Sequence, residues 1–193
     1  MHVKELTLCE VKEIYDTYMQ EAFPPSELRP YKNIKMLTEA GNYVSYGLYD
    51  EALLAYALFA KTNNGRCCLL DYYAVAEGMR GKGIGSRYFS MLKEIMQKMR
   101  TVFIEVESPA SADSEEELAL RQRRIRFYES NGCVMTDVRC ILYGVDFSIM
   151  VLPLDDALPD NETVLCELER IYHTMFDEEL YKQVCHPFIN SAV

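Results

Sequence analysis

The chain has 193 residues, of which 49% are hydrophobic and 26% are charged, a composition typical of one folded domain with a substantial core. Its 30 acidic and 20 basic residues give a formal net charge of -10, which argues against a nucleic-acid partner. No apolar run approaches the roughly 20 residues of a membrane span, and the charges of Lys4 and Glu5 argue against a signal peptide. We therefore expect a cytoplasmic protein without a membrane partner.

The N-terminal segment predicts a short strand and two helices. Residues 3–8 favour the strand, and residues 9–22 carry apolar side chains at helical spacing. Two consecutive prolines then end the helix. Ser26 is a suitable N-cap for a second helix, which is expected to reach residue 40.

Three strands are predicted next, arranged as an antiparallel meander. They lie at residues 43–49, 52–60 and 67–75. Asn63 and Asn64, followed by Gly65, predict a tight hairpin turn because Asn and Gly tolerate positive φ.

After residue 75 the apolar residues change to helical spacing, which predicts a helix over 84–99. Residues 102–107 are again typical of a strand. This strand–helix–strand unit predicts a right-handed crossover between two parallel strands. Ser114 then caps a helix with acids in its first turn and arginines later, as the helix dipole favours.

The C-terminal part predicts a hairpin and one long helix. Residues 133–142 and 145–152 form the hairpin about Gly144. Residues 162–181 are amphipathic at helical spacing. We expect this helix to pack on the same domain, and a contact in a homodimer is the alternative.

The seven cysteines show no C-x-x-C spacing, so no metal site is predicted from them. They lie in apolar stretches, and Cys67 and Cys68 are adjacent. Reduced and mostly buried thiols fit this pattern in a cytoplasmic protein. An acyl-cysteine intermediate is therefore not expected.

A glycine-rich turn between the last strand of the meander and the following helix has the features of a ligand site. Its glycines let the backbone approach a ligand, the N–H groups at a helix start favour negative charge, and two cations add to that preference. Without a ligand, three glycines in five residues would only lower stability. We therefore predict a pyrophosphate site formed by Arg80, Gly81, Lys82, Gly83, Ile84, Gly85 and Ser86.

Two other phosphate-binding motifs fit this turn less well. The P-loop pattern GxxxxGK[ST] is absent. The spacing from Gly81 to Ser86 nearly fits a dinucleotide fingerprint, with Glu105 about 20 residues further on. However, five residues separate Val75 from Gly81 and a meander precedes the unit, so a dinucleotide-binding protein is the weaker alternative.

Residues 80–85 resemble the [Q/R]-x-x-G-x-[G/A] pattern of the GNAT superfamily of CoA-dependent N-acyltransferases and match every fixed position. Residues 127–133 are similar to that family's FYE-x-x-G segment, with Cys133 where an aromatic residue is usual. The order of the predicted elements also matches as far as the final hairpin. One departure is that Arg121 and Gln122 stand where the family often has Asn.

The resemblance implies an α/β fold with a mixed, mostly antiparallel sheet, a splayed pair of parallel strands, flanking helices and a C-terminal helix. Residues 1–153 would form the acyltransferase domain, and residues 154–193 a helical extension packed on it. The pantetheine arm of acetyl-CoA would lie in the split along Tyr73, Ala74 and Val75, with its pyrophosphate on the glycine-rich turn. The acceptor would be a small-molecule or peptide amine.

Acetyl transfer to an amine needs one group that takes the amine proton and another that donates to the departing thiolate. The resemblance assigns the donor role to Tyr128, and a packed aromatic residue is the alternative. Asp71 and Glu105 are candidate bases because an acid in an apolar strand is unusual unless it is paired or functional. Ion pairs with the arginines of the following helix are an equal alternative for both acids and the favoured interpretation for Glu107.

Two classes of function follow from these residues. The first is an N-acetyltransferase that moves an acetyl group from acetyl-CoA to a primary amine by direct attack in a ternary complex. The second is a CoA-binding or regulatory module of the same fold that lacks turnover. Tyr128 and the strand acids favour the enzyme, because a fold by itself does not set function.

Overall fold

The computed structural model describes residues 1–62, 65–155 and 157–190. The strands are β1 (His2–Glu5), β2 (Tyr43–Tyr49), β3 (Leu53–Lys61), β4 (Cys67–Val75), β5 (Thr101–Glu107), β6 (Val134–Leu142), β7 (Val145–Pro153) and β8 (Cys185–Ile189). In the described parts of the chain these eight strands form one sheet, in the order β1-β2-β3-β4-β5-β7-β6-β8. The predicted turn at Asn63 and Asn64 lies outside the described residues.

The helices lie on both faces of this sheet. They are α1 (Leu8–Ile14), α2 (Gln20–Ala22), α3 (Tyr31–Glu39), α4 (Ile84–Ile95), α5 (Glu115–Ser130), α6 (Asn161–Met175) and α7 (Glu178–Val184). A π-helical segment, Tyr15–Met19, joins α1 to α2. None of the described helices combines the length and the apolar character that a bilayer crossing requires.

The predicted fold class is confirmed. Strands β2, β3 and β4 form the antiparallel meander, and β4 pairs with β5 in parallel across the crossover helix α4. Strand β5 then pairs antiparallel with β7, and β7 pairs with β6. The sheet is therefore mixed and mostly antiparallel, with one parallel pair near its centre.

Two hydrophobic cores fill the space between the sheet and its helices. On one face, α1, α3 and α6 pack on apolar residues such as Leu58, Leu69 and Phe103. On the other face, α4 and α5 pack on Leu70 and Ile104, which alternate with the first set along β4 and β5. Sheet residues of β4 and β5 are therefore directed alternately toward α6 and toward α4.

The predicted helix that Ser26 would cap is wrong in its start. The helix α3 begins at Tyr31, after Pro30. A residue before proline is disfavoured in the helical region, so Arg29 cannot continue a helix begun at Ser26. Residues 24–30 instead cross the α6 side of the sheet as an irregular segment, which places Arg29 over β4.

The prediction of one helix over 162–181 is also wrong. The segment forms α6 and α7, because Phe176 is extended and Asp177 caps a new helix by accepting a hydrogen bond from the amide of Leu180 at 2.9 Å. The following strand β8 was not predicted, and it pairs antiparallel with β6. Residues 161–189 thus supply helices and an edge strand to the common sheet.

Candidate functional site

A split opens between β4 and β5 in the centre of the sheet. Their parallel pairing covers only four residue pairs and ends where Leu70 meets Ile104. Beyond this point β4 continues to Val75 and β5 to Glu107, each still paired with its other neighbour. The inner edges of both strands are therefore free of ladder pairing over Tyr73, Ala74 and Val75, so an extended ligand can bond to the backbone there.

A β-bulge in β4 sets which side chains point to each face at the split. Leu58 of β3 lies opposite Tyr72, and the next residue, Phe59, lies opposite Leu70, so Asp71 has no partner across the ladder. Asp71 and Tyr72 consequently both contact residues on the α6 side. Tyr73 is returned to the α4 side, where it packs on Tyr88.

The glycine-rich turn has the backbone conformation that the sequence predicts for a close approach to a ligand. Gly81 and Gly83 have φ of 76° and 75°, and Gly83 is the N-cap of α4. A Cβ built at either position would meet no atom within 4 Å, so the space beside the turn is open. The amide of Arg87 donates to the carbonyl of Gly83, which leaves the amides before it, at the start of α4, available to an anion.

Gly85 has a different role from the two glycines before it. A Cβ at this position would lie 3.4 Å from Cε2 of Phe127 and 3.6 Å from Cγ2 of Val75. These are ordinary van der Waals distances, so the packing of α4 against β4 and α5 leaves room for a methyl group here. Its carbonyl accepts a 2.6 Å hydrogen bond from the hydroxyl of Tyr73, which ties the helix start to the strand.

The polar side chains of the turn brace its backbone. The guanidinium of Arg80 donates to the carbonyl of Val75 at 3.3 Å, and the ammonium of Lys82 donates to the carbonyl of Gly78 at 2.9 Å. The hydroxyl of Ser86 accepts from the side-chain amide of Asn131 at 3.3 Å. Both cations are exposed, and they add positive charge beside the free amides of α4.

Tyr128 lies in an aromatic cluster on the α4 side of the split. Its ring packs edge-on against Phe89 and Phe127, with centroids 5.8 Å and 5.2 Å away. The side chain is 8% exposed, and burial raises the pKa of its phenol above the ordinary value. The phenol therefore stays protonated at neutral pH and can act as a hydrogen-bond donor.

Asp71 forms an ion pair on the α6 side of the split. Its Oδ2 accepts hydrogen bonds from the hydroxyl of Tyr43 and, at 3.4 Å, from Nε of Arg29. The side chains of Asp71 and Arg29 are each 11% exposed. This is the structural ion pair that the sequence allowed, although its cation comes from residues 24–30 and not from α5.

Glu105 has no such cation. Its Oε1 accepts a hydrogen bond from the hydroxyl of Tyr172 on α6, and no salt bridge to it forms within the described residues. The side chain keeps partial exposure at the end of the paired region. Desolvation raises the pKa of Glu105 to about 7, against the lowering effect of the Tyr172 hydrogen bond.

Glu107 pairs with the arginines of α5, as the favoured interpretation of the sequence has it. Its carboxylate lies 3.5 Å from the guanidinium of Arg121 and 3.1 Å from that of Arg124. Arg121 is buried and also donates to the carbonyl of Ser108 at 2.6 Å. The residue that stands where the family often has Asn thus fixes the loop after β5.

The α6 side of the split therefore holds a polar cluster that we define as Arg29, Tyr43, Asp71, Glu105 and Tyr172. Sequence reasoning found its two acids and missed its other members. For Tyr172 a signal was present, since a phenol on the apolar face of a helix needs a hydrogen-bond partner when buried. Arg29 lies in an irregular, proline-flanked segment whose course the sequence did not reveal.

The model of the acetyltransferase (GNAT) family matches residues 8–132. That stretch contains the glycine-rich turn, the strand acids and Tyr128, but it ends before α6. No curated protein sequence matches the chain.

Solved structures with the same fold are similar over most of this chain. A GNAT-family protein of Bacteroides thetaiotaomicron is 23% identical, with a TM-score of 0.70 over 90% of this chain and 99% of its own. The ribosomal-protein-S18-alanine N-acetyltransferase of Escherichia coli is 21% identical, with a TM-score of 0.57 over 81% and 96%. A phosphinothricin acetyltransferase of Sinorhizobium meliloti, in complex with acetyl-CoA, is 17% identical, with a TM-score of 0.56 over 83% and 93%.

Proposed function

Since the chain belongs to the GNAT acetyltransferase family, we propose that it is an N-acetyltransferase that uses acetyl-CoA and a primary amine. The observation that carries this proposal is the split between β4 and β5. A glycine turn with positive φ lies at one end of the split. Glu105, which has no cation partner among the described residues, lies where the strand pairing ends. The first feature suits a long phosphate-containing thioester. The second suits removal of a proton from an amine.

The residues of the split fit acetyl-CoA on two counts. The open space beside Gly81 and Gly83 and the free amides of α4 suit a pyrophosphate. The unpaired edge of β4 at residues 73–75 suits the amides of a pantetheine arm, as an added strand would bond there. Acetyl-CoA, when bound, supplies the acetyl group as a thioester.

Glu105 is the better of the two candidate bases. Asp71 already accepts hydrogen bonds from Arg29 and Tyr43 through its Oδ2, and it forms an ion pair with Arg29. Glu105 has one neutral partner, partial exposure and a pKa raised to about 7, which is close to the pH at which the base has to work. We assign to Glu105 the acceptance of the amine proton, directly or through one water.

Tyr128 serves the other side of the reaction. It belongs to the core on the α4 face, whereas Glu105 is bonded to α6 on the opposite face. Glu105 would accept one proton from the amine nitrogen as the amide bond forms, and Tyr128 would donate one proton to the thiolate that acetyl-CoA leaves. Solvent then returns the proton from Glu105 to Tyr128, so the products are an amide and a free thiol.

The first test is ligand-dependent melting followed by thiol release. Acetyl-CoA at about a hundred times its Kd should raise the Tm by roughly 5–10 °C, because it binds only the folded chain. NAD should leave the Tm unchanged. Thiol release with a panel of amines should then identify an acceptor. A peptide with an N-terminal alanine, phosphinothricin and spermidine are the starting members of the panel.

The possible results separate the competing functions. Stabilisation by NAD and not by CoA would support a dinucleotide-binding protein and overturn the proposal. Stabilisation by CoA with no thiol release for any amine would favour a binding module without turnover. A matched control is Gly83→Val, which should lose the CoA-dependent shift in Tm whether or not the wild type releases thiol.

A further inference from the structure

The partner of Glu105 comes from a part of the chain beyond the segment that the family model matches. That segment ends at residue 132, whereas Tyr172 lies in the last turns of α6. Tyr172 is fully buried, and its ring packs against Phe176 with centroids 6.3 Å apart. Its hydroxyl reaches across the core to Oε1 of Glu105.

We infer that Tyr172 is a positioning residue for Glu105, so that the C-terminal extension completes the acid–base site. The inference rests on the proposed function for its catalytic meaning, and on the packing of α6 for its geometry. Helix α6 buries Val164, Leu168, Ile171 and Met175 together with Tyr172. This packing fixes the tyrosine ring, and the ring in turn fixes one oxygen of the carboxylate.

The hydrogen bond from Tyr172 restricts the conformation of the Glu105 side chain. A glutamate side chain has three rotatable bonds, and only a narrow range of them presents an oxygen to a substrate. Tyr172 holds Oε1, while Oε2 accepts no hydrogen bond from the described residues. One oxygen is thereby anchored and the other is left for the amine or its bridging water.

The charged and titratable groups around Glu105 set the direction of the expected effect. Asp71 of β4 raises its pKa, and Arg29 of the 24–30 segment and Tyr172 of α6 lower it. Cys185 of β8 also lies within electrostatic range. Among these groups Tyr172 alone bonds to Glu105 directly, so its removal should act on the carboxylate more strongly than other nearby changes.

The test is the pH dependence of kcat/KM for Tyr172→Phe, measured with one acceptor throughout. The variant keeps the ring and removes only the donor. The acid limb should move upward by about one pH unit, which lowers kcat/KM at pH 7 about fivefold and leaves the rate at pH 9 unchanged. A replacement of Tyr172 by 3-fluorotyrosine makes a stronger donor, so it should move the limb downward.

Two controls separate positioning from packing. Tyr181→Phe removes another partly buried phenol of the extension that does not contact the polar cluster, and it should leave the profile unchanged. In a Glu105→Gln background, Tyr172→Phe should have no further effect on the acid limb. An acid limb that stays in place in folded Tyr172→Phe, or an equal loss in the Gln background, would overturn the inference.

A direct titration keeps this result independent of the proposed function. Carbon-13 NMR of the Glu105 carboxyl should show a pKa that rises in Tyr172→Phe and falls with 3-fluorotyrosine, whatever the enzyme acetylates. Titration shifts without acetyltransferase activity would retain the hydrogen-bond role and reject the acetyltransferase. Activity with no shift in either variant would reject the positioning role alone.

Discussion

The two sides of the split between β4 and β5 are built in different ways. On the α4 side, the glycine turn and helix start come from one continuous segment, residues 80–86. On the α6 side, the polar cluster draws single residues from five separate elements: Arg29, Tyr43, Asp71, Glu105 and Tyr172. The glycine turn of the α4 side is local in sequence, and the polar cluster of the α6 side is assembled by the fold.

This difference bears on how each side can vary. The turn depends on backbone conformation at Gly81 and Gly83, which a short motif specifies. The polar cluster depends on the packing of α6 and on the course of residues 24–30, so it can be rebuilt without touching the motif. The α4 side therefore depends on a short motif, and the α6 side depends on long-range packing.

The largest expected effect comes from a substitution in the polar cluster, on the assembled side of the split. Glu105→Gln keeps the size of the side chain and an acceptor for Tyr172 but removes the basic group. It should lower kcat/KM at pH 7 by about 100-fold or more, the lower end of what a general base contributes. Part of this loss should be recovered above pH 9, because free amine then needs no enzymic base.

Asp71→Asn is the matched control for that substitution. The same chemical change is made one strand away, to an acid that already has two partners. Its kcat/KM should fall by much less than that of Glu105→Gln. If the two variants exchange these outcomes, Asp71 is the base and the assignment to Glu105 is wrong.

The next effect breaks the local side. Gly83→Val should lower the affinity for acetyl-CoA at least tenfold, because a branched side chain is strained at a φ of 75° and fills the open space beside the turn. Gly85→Ala is the control within the same helix start. Its new methyl would make an ordinary contact with Phe127 at 3.4 Å, so isothermal titration with acetyl-CoA should show little change in affinity. Equal losses of affinity in both variants would argue against a pyrophosphate at Gly83.

The local side was predictable from the sequence for a physical reason. A strand, a glycine turn and a helix start are each specified by neighbouring residues, so the strands at 43–49 and 67–75 and the turn at 80–86 could be placed directly. The parallel pairing of β4 with β5 followed from the crossover rule. The bulge at Asp71 was not predicted, because an extra residue in a continuous apolar strand leaves no mark in the pattern.

The assembled side was predictable only in part. An acid in an apolar strand identified Asp71 and Glu105, but nothing near either residue in sequence indicated its partner. Arg29 was hidden by the expectation of a helix from Ser26, and Tyr172 by its place on the apolar face of a helix. Both partners depend on contacts more than 40 residues apart in sequence, at separations of 42 and 67.

The smallest expected effect is on thermal stability, and it differs between the two acids of the polar cluster. Asp71→Asn removes the carboxylate from a nearly buried ion pair and leaves Arg29 without its anion. Removing one partner of such a pair is destabilising, here by about 1–3 kcal/mol. The Tm should therefore fall by a few degrees at neutral pH.

Glu105→Gln should shift the Tm in the opposite direction. The pKa of Glu105 is raised to about 7 in the folded chain, above its ordinary value, so folding favours the protonated carboxyl. The stabilisation of the folded chain by this protonated carboxyl is complete below the pKa of Glu105 in the unfolded chain and is lost as pH rises through about 7. Ionisation of Glu105 in the wild type therefore lowers the free energy of unfolding by at most about 3 kcal/mol. Glutamine never bears this charge, so at pH 8 the variant should melt several degrees above the wild type, and the difference should vanish near pH 4.5. Melting curves of both variants between pH 4.5 and pH 8 test this contrast directly. If Glu105→Gln is destabilised like Asp71→Asn, Glu105 is held as an ion in a structural pair. It would then not be available to accept a proton.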